Sequence, residues 1–361
     1  MAVMTAQKGM QIKQYEVAPL KAPLSQPFRT AFGQHDTLDN LLFKIKLNNG
    51  VTGFGEAAVA THITGETLSQ TEENLKKCGQ SLLGYNVAEY LSISAALHRQ
   101  LPDNKAALAA IEMAVFDALA RSLNIPLWRL YGDRPVKLRT DITIVIDRVE
   151  SAEKKTREFY LRGFRAFKIK IGSDMDLDLA RVIVVARIAK KAKLYLDANQ
   201  GYSARQTLKF LKKLERYNII PDLIEQPVPK DDREGLKKVT RLSKTKVCAD
   251  ESVSNMADAV WAVKEKACDV INIKLMKCGL VQAREIAFLA RANHIGLMIG
   301  GMMESALAMT CSAHIASGLG FIDYVDLDTP FFLKDKHKHK FLSRSGEYDL
   351  SRVKSGIGII P

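Results

Sequence analysis

"FRAFKIKIGSDMDLDLARVIVVARIAKKAKLYLDANQ" (164–200) reads as a short apolar strand, an amphipathic helical stretch and a second short apolar strand. Strand, helix and parallel strand form one βα repeat, and the fold depends on how often that repeat recurs. Lys168 and Lys170 interrupt the first strand one residue apart. Successive strand side chains face opposite ways, so both ammonium groups point to the same side. Lysines commonly guard an exposed sheet edge, and only the rest of the chain can give the pair another meaning.

The unit does recur. From about residue 136 onward, strands are read at "LRTDITIVI", "FRAFKIKIG", "KLYLDANQ", "DLIEQPV", "KVCADES", "VINIKLM", "GLMIGG" and "YVDLDTP", with amphipathic helices between them. Eight such strands predict an α/β fold, a closed (β/α)8-type barrel over 136–334. The region is short for that fold, so the last helix is expected to be reduced or replaced by the chain's end. The tail "SGIGIIP" is expected to return to the first module. That module, residues 1–135, is read as α+β: "IKQYEVAPL", "NLLFKIKLNNG" and "VTGFGEAAV" have the alternation and Asn-Gly punctuation of an antiparallel meander. "SQPFRTAFGQHDTLD" is read as the loop between the first two strands. "NKAALAAIEMAVFDALARSLN" carries apolar residues at helical spacing.

With 361 residues, 47% hydrophobic and 26% charged, the chain suits a globular protein with a large core. No membrane span or signal peptide is read, so a cytoplasmic location is expected. The five cysteines lack CxxC or His-rich spacing, which argues against a disulfide framework and a structural zinc site and predicts reduced, buried thiols. A formal charge of +13 invites a nucleic-acid reading. The lysines, however, are scattered along helical stretches, and only "KDKHKHK" (334–340) forms a dense run. No nucleic-acid or membrane partner is expected; a homo-oligomer is.

The polar residues that interrupt the strands fall in one register. Positions 170, 197, 225, 250 and 274 step by 27, 28, 25 and 24 residues, one βα unit each. Each lies near the C-terminal end of its strand, where barrel enzymes assemble their sites. Asp197, Glu225 and Asp250 on neighbouring strands would converge and repel one another unless a cation sat among them, and oxygen-only donors favour a hard ion such as Mg2+. Lys170 and Lys274 would stand nearly opposite each other, suited to moving protons on two faces of one substrate. Lys168, beside Lys170, is expected to disfavour its neighbour's charged form and help bring it toward the range of a general base. Lys277 is a weaker candidate than Lys274.

"KIK", "DANQ", "EQP", "ADES" and "INIKLMKCG" together resemble the enolase superfamily, in particular its muconate-lactonizing subgroup. The resemblance extends to "ALAAIEMAVFDALA" and "IPLWRLYG", which are similar to that family's capping domain. It implies a modified TIM barrel, a capping domain over 1–135 joined by the tail from about 335 to 361, Mg2+ on Asp197, Glu225 and Asp250, and acid/base roles for Lys170 and Lys274. The implied chemistry is abstraction of a proton α to a carboxylate, giving an enediolate held by the metal. Within the subgroup, the Asp-x-Asp of "YVDLDTP" resembles the pair with which dipeptide epimerases capture a substrate's α-ammonium, here Asp326 and Asp328. "MIGGMMES", with Glu304, is also similar to those enzymes. The implied reaction is a 1,1-proton transfer that inverts the α-carbon of a dipeptide's C-terminal residue. An N-acylamino acid racemase or a muconate cycloisomerase-like enzyme is the alternative. The cap loop departs from the epimerases that act on Glu. Gly33 stands where they tend to carry an Arg, with His35 and Asp36 following, and Arg29 or Lys21 could substitute. Glu, hydrophobic and cationic side chains all remain open as substrates.

Overall fold

The computed structural model describes residues 9–30, 33–334 and 340–361, so most of the basic run at 334–340 lies outside the described residues. Three strands open the chain: β1 (Ile12–Thr30), β2 (Gly33–Leu47) and β3 (Thr52–Ala57) form an antiparallel sheet in the order β1-β2-β3. The stretch read as a loop is instead a two-stranded ribbon. Phe28 pairs with His35, Arg29 with Gln34 and Thr30 with Gly33, beyond an irregularity between Pro23 and Phe28. Pro, Ser, Gln and Gly read locally as a turn, but contacts distant in sequence hold this ribbon. Ser25 Oγ donates to Phe332 O at 3.0 Å, Ile146 N to Arg29 O at 3.2 Å, and Phe28 meets Phe332 edge-on at 5.1 Å.

Helices α1 (Thr61–Thr64), α2 (Leu68–Ser81), α3 (Tyr90–Gln100) and α4 (Lys105–Ser122) follow. α4 is buried along nearly its whole length, its alanines lying close against β3. The approach is so tight that a Cβ on Gly55 would stand 1.9 Å from Ala110 O, and one on Gly53 2.2 Å from Ala114 O. Only glycine fits at those two positions.

A short strand, β4 (Leu138–Arg139), precedes the barrel. The barrel strands are β5 (Ile142–Ile144), β6 (Ala166–Lys170), β7 (Lys193–Asp197), β8 (Leu223–Glu225), β9 (Lys246–Ala249), β10 (Val270–Lys274), β11 (Gly296–Gly300) and β12 (Tyr324–Val325). They pair in sequence order as one eight-stranded parallel sheet. Asp141 N donates to Val325 O at 2.9 Å and Leu327 N to Thr140 Oγ1 at 2.8 Å, linking the first strand to the last. Seven helices alternate with the strands: α5 (Val149–Leu161), α6 (Met175–Ile188), α7 (Ala204–Glu215), α8 (Arg233–Leu242), α9 (Met256–Lys264), α10 (Leu275–Ala292) and α11 (Ala306–Leu319). Their starts follow the side chains that satisfy the orphan N–H groups. Asp174 accepts from Asp176 N and Leu177 N, and Ser203 forms a reciprocal capping box with Gln206. α10 bends at Gly279, whose φ of 74° suits glycine, and Glu112 of α4 accepts the N–H groups of Leu280 and Val281 just beyond the bend.

After β12 the described chain has only a 3-10 turn (Thr329–Phe332) and a short strand, β13 (Glu347–Tyr348), which pairs antiparallel with β4. The tail then runs back to α4. Ile357 N donates to Asp117 Oδ1 at 2.7 Å, and Arg121 Nη2 to Ile359 O at 3.0 Å. Among the described residues no helix is long and apolar enough to cross a membrane, and all five cysteines are free and buried.

Strand alternation builds the barrel interior in layers. Tyr195, Leu223, Cys248, Val270, Met298 and Tyr324 pack together as an apolar plug. Two residues further along each strand, on the same face, stand Asp197, Glu225, Asp250, Asn272, Gly300 and Asp326. Polar side chains therefore begin directly above a dry floor, at the C-terminal mouth.

Candidate active site

The parallel register sets the level of each side chain. Lys170 pairs with Asp197, Asp197 with Glu225 and Glu225 with Cys248, which leaves Asp250 on the next rung. Lys168 is 2% exposed, and its Nζ lies 2.6 Å from Asp326 Oδ2, 2.7 Å from Glu225 Oε2 and 3.0 Å from Asp197 Oδ2. Lys170 Nζ donates to Asp197 Oδ2 at 2.6 Å and to Asn199 Oδ1 at 3.2 Å. Across the ring, Lys274 Nζ is 2.6 Å from Asp250 Oδ2. Lys277 donates to Asp250 Oδ1 and to the carbonyls of Asp250 and Asn272, and so anchors the loop that carries Asp250. Strands β6 and β10 are four apart in the order of eight, so Lys170 and Lys274 approach from opposite sides.

Burial works against every one of these charges, and the ion pairs decide the outcome. Burial would raise the Asp197 carboxyl, but Lys168 and Lys170 outweigh it and hold Asp197 below the usual range. Lys274 and Lys277 do the same for Asp250. Glu225 goes the other way: burial and the neighbouring Asp197 push it up to about 8. Lys274 is held above its ordinary value, because Asp250 and Glu225 overcome its burial. Lys168 itself is engaged by three acids.

Asp197, Glu225 and Asp250 sit at three consecutive strand ends, fully or almost fully buried. Glu225 Oε2 and Asp250 Oδ2 have lysine ammoniums at 2.7 and 2.6 Å, but neither oxygen receives a directed hydrogen bond. Buried carboxylate oxygens left in that state fit a hard cation. Asn272 Nδ2 orients Glu225 by donating to Oε1 at 2.8 Å, and Asn199 N donates to Asp197 Oδ1 at 2.9 Å. Among the described residues, however, the trio whose oxygens all approach within 4.8 Å of one another is a different one: Asp141, Asp326 and Asp328.

A cavity of about 850 Å³, including its open mouth, lies above these groups. Lys168, Lys170, Asn199, Lys274, Asp326 and Asp328 form its polar lining. Its walls are apolar, built from Phe28, Val59, Ala60 and Ile63 of the N-terminal module and Met302, Met303 and Met309 of the barrel. Asp328 accepts from Thr143 N at 2.6 Å, and burial, with Asp326 next, pushes its carboxyl up to about 7.

The cap-loop residues are placed elsewhere. Arg29 Nε donates to Gln34 Oε1 at 2.6 Å and its guanidinium faces Asp147, so it lines a neighbouring groove rather than the cavity. Asp36 is exposed and accepts from Gln34 Nε2, Lys21 pairs with Asp39 at the surface, and the His35 side chain lies outside the described residues. Gly33 does line the cavity. Glu304 is buried beneath it, accepting from Met302 N at 2.7 Å, and burial pushes it up to about 8. Reading the sequence missed Asn199, Asn272, Thr143 and Asp141. The first three lie two residues from a predicted site residue or on the first barrel strand, so strand alternation could have found them. The methionine and Phe28 walls carried no such signal.

Comparison with known proteins matches two family models. Residues 13–132 fit the mandelate racemase / muconate lactonizing enzyme N-terminal domain, and residues 151–361 fit the enolase C-terminal domain-like model. A curated hydrophobic dipeptide epimerase from Citrifermentans bemidjiense is 46% identical over 362 residues, covering 98% of each chain. The dipeptide epimerase from Enterococcus faecalis V583, solved in complex with Mg and the dipeptide L-Leu-L-Tyr, superimposes with a TM-score of 0.92 at 34% identity, covering 97% of this chain and 99% of that one. A substrate-liganded complex of the L-Ala-D/L-Glu epimerase from Bacillus subtilis gives 0.93 at 33% identity, with the same coverage.

Proposed function

The chain belongs to the mandelate racemase / muconate lactonizing enzyme family, and from that membership we propose that it is a Mg2+-dependent dipeptide epimerase acting on dipeptides with an apolar C-terminal residue. The observation that carries this reading is the pairing, in one cavity, of two lysines on opposite strands with two acids that can receive an ammonium. Mg2+ held by Asp197, Glu225 and Asp250 would supply positive charge to the substrate carboxylate and so acidify its α-proton. Lys170 and Lys274 remove that proton from one face and return another on the opposite face, inverting the centre. Lys168 pairs with Asp197, Glu225 and Asp326 and holds them in place. Asp326 and Asp328 bind the N-terminal ammonium, which fixes the dipeptide's direction in the cavity. Among the described residues the cations that line the cavity are the three site lysines, and Phe28, Val59, Ile63 and methionines form much of the wall, which favours an apolar side chain over Glu. The similarity to a hydrophobic dipeptide epimerase supports the same choice.

Incubation of an L-Ala-L-hydrophobic dipeptide in D2O tests the scheme, because epimerization through exchanging ammoniums must place solvent deuterium on the product's α-carbon. Lys170→Ala and Lys274→Ala should each abolish epimerization. An N-acetylated dipeptide keeps the α-proton but lacks the charge. Losing a charge-assisted pair costs about 1.5–3 kcal/mol, so kcat/KM should fall by roughly one to two powers of ten. Equal turnover of the free and acetylated compounds would replace this reading with an N-acylamino acid racemase.

A further inference from the structure

Asp178, in the first turn of α6, is fully buried and takes no part in the chemistry above. Its carboxylate gathers donors from three directions. Oδ2 accepts from Gly172 N at 2.8 Å and from the Tyr202 hydroxyl at 2.5 Å. Oδ1 accepts from the buried Arg181 guanidinium, which also donates to Asp147 O at 3.3 Å. Asp147 follows β5, Gly172 follows β6 and Tyr202 follows β7, so one buried ion pair ties together the loops that leave the first three barrel strands. Burying a charged pair is costly unless its remaining lone pairs and protons are satisfied, and here three donors converge on the acid.

Two of those loops fix the Lys170 ammonium. Gly172 lies just beyond Lys170 and Ile171, and Ile171 N donates to Asp197 O at 2.9 Å. Tyr202 closes the loop that begins at Asn199, whose Oδ1 accepts from Lys170 Nζ at 3.2 Å. The loops meet backbone to backbone, since a Cβ on Gly201 would stand 2.4 Å from Gly172 O. Asn199 and Gln200 take φ values of 40° and 66°. Non-glycine residues keep such left-handed backbone only where the surroundings over-determine it, and the Tyr202 to Asp178 bond closes this loop onto the Lys170 strand. Lys274 stands across the ring, paired with Asp250 on the side that Lys277 anchors.

We propose that Asp178, acting through Gly172 and Tyr202, is the positioning residue for Lys170 and so serves proton transfer on one face of the substrate alone. The consequence for one face rests on the proposed function; the placement of Lys170 does not. In Asp178→Asn the amide turns an NH2 group toward donors that need an acceptor, so the loops must part.

Exchange of the dipeptide's α-hydrogen in D2O separates positioning from a general structural role. Lys170→Ala identifies the isomer that Lys274 deprotonates, as the one that still exchanges. In Asp178→Asn that isomer should exchange at close to the wild-type rate, and the other about a hundredfold more slowly, the loss that a displacement of about 1 Å brings. Tyr202→Phe keeps the ring against Phe210 and removes one charge-assisted hydrogen bond, so it should show the same asymmetry at roughly tenfold. If Asp178→Asn does not fold, Tyr202→Phe decides alone. An equal fall for both isomers, or no fall for either, in a folded variant overturns the proposal. Trace acetylation with acetic anhydride, read by mass spectrometry without substrate, reports on the Lys170 ammonium itself. Its labelling relative to Lys274 should rise severalfold in either variant as its bonds to Asp197 and Asn199 loosen, and an unchanged ratio overturns the placement. Absence of any exchange in wild type would count against the proposed function, and the labelling ratio would still decide the placement.

Discussion

Replacing Lys168 by Met removes the ammonium on which three buried carboxylates converge, at 2.6, 2.7 and 3.0 Å, while keeping most of the side chain's volume. At an effective dielectric of about 20, one such contact is worth about 6 kcal/mol before desolvation is counted. Removing the lysine also removes its own desolvation penalty, and breaking one partner of a buried pair typically leaves a net loss of about 3–5 kcal/mol. With an unfolding entropy of about 2.1 cal/mol/K per residue over this chain, that corresponds to a fall in Tm of roughly 4–7 °C. Urea titration and thermal melts followed by circular dichroism, in EDTA so that no cation stands in for the lysine, measure it directly. The deficit should also depend on pH. Without Lys168 the folded pKa of Glu225 rises further above its unfolded one and Asp197 loses the main partner that holds it low, so both favour the fold less once they are ionised. The mutant should therefore approach wild type below about pH 5 and fall furthest behind above pH 8, the level to which Glu225 is already raised in wild type. A Tm within 1 °C of wild type at pH 8 would refute the view that these ion pairs hold the barrel mouth together.

Two further outcomes follow from the packing. Gly55→Ala should destabilise the protein by about 3 kcal/mol or more, because the new Cβ would meet Ala110 O at 1.9 Å and the backbone of α4 cannot yield as a side chain could; denaturant melts showing less than 1 kcal/mol would contradict the close approach of β3 and α4. His314 is fully buried, accepts from Trp128 N at Nδ1 and lies 3.1 Å from Ile357 O at Nε2, and burial lowers its pKa to about 3. A base lowered in the folded state stabilises it fully above the unfolded value near 6.5 and progressively less as pH falls toward 3. This group alone should remove about 2 kcal/mol between pH 6.5 and pH 5, and His314→Asn should flatten that slope in pH-dependent urea melts.

The sequence by itself determined the repeat and its polarity. A period-2 strand places residues i and i+2 on one face, and a parallel βα repeat brings the strand ends to one rim. Spacing along the chain therefore put Lys168, Lys170, Asp197, Glu225, Asp250, Lys274, Asp326 and Asp328 around one mouth, where the structure has them. These are local and periodic relations, and they survive without knowledge of what packs against them.

What the tertiary structure decided is whatever depends on elements distant in sequence. The 25–39 stretch has the composition of a loop, and it is a paired ribbon because Phe332 and Ile146, both distant in sequence, receive it. Arg29 and Asp36 stand near the cavity in sequence logic, yet the twist of that ribbon turns Arg29 toward Asp147 and leaves Asp36 in solvent. The upward shifts of Lys168 and Lys274 were set by which carboxylates each ammonium reaches within 3 Å, since Coulomb energy inside a poorly polarisable barrel changes by kilocalories over an ångström, a distance no pattern of residues encodes. The apolar wall of Phe28, Val59, Ile63 and Met303 exists only where the N-terminal module meets the barrel mouth, a junction of elements distant in sequence.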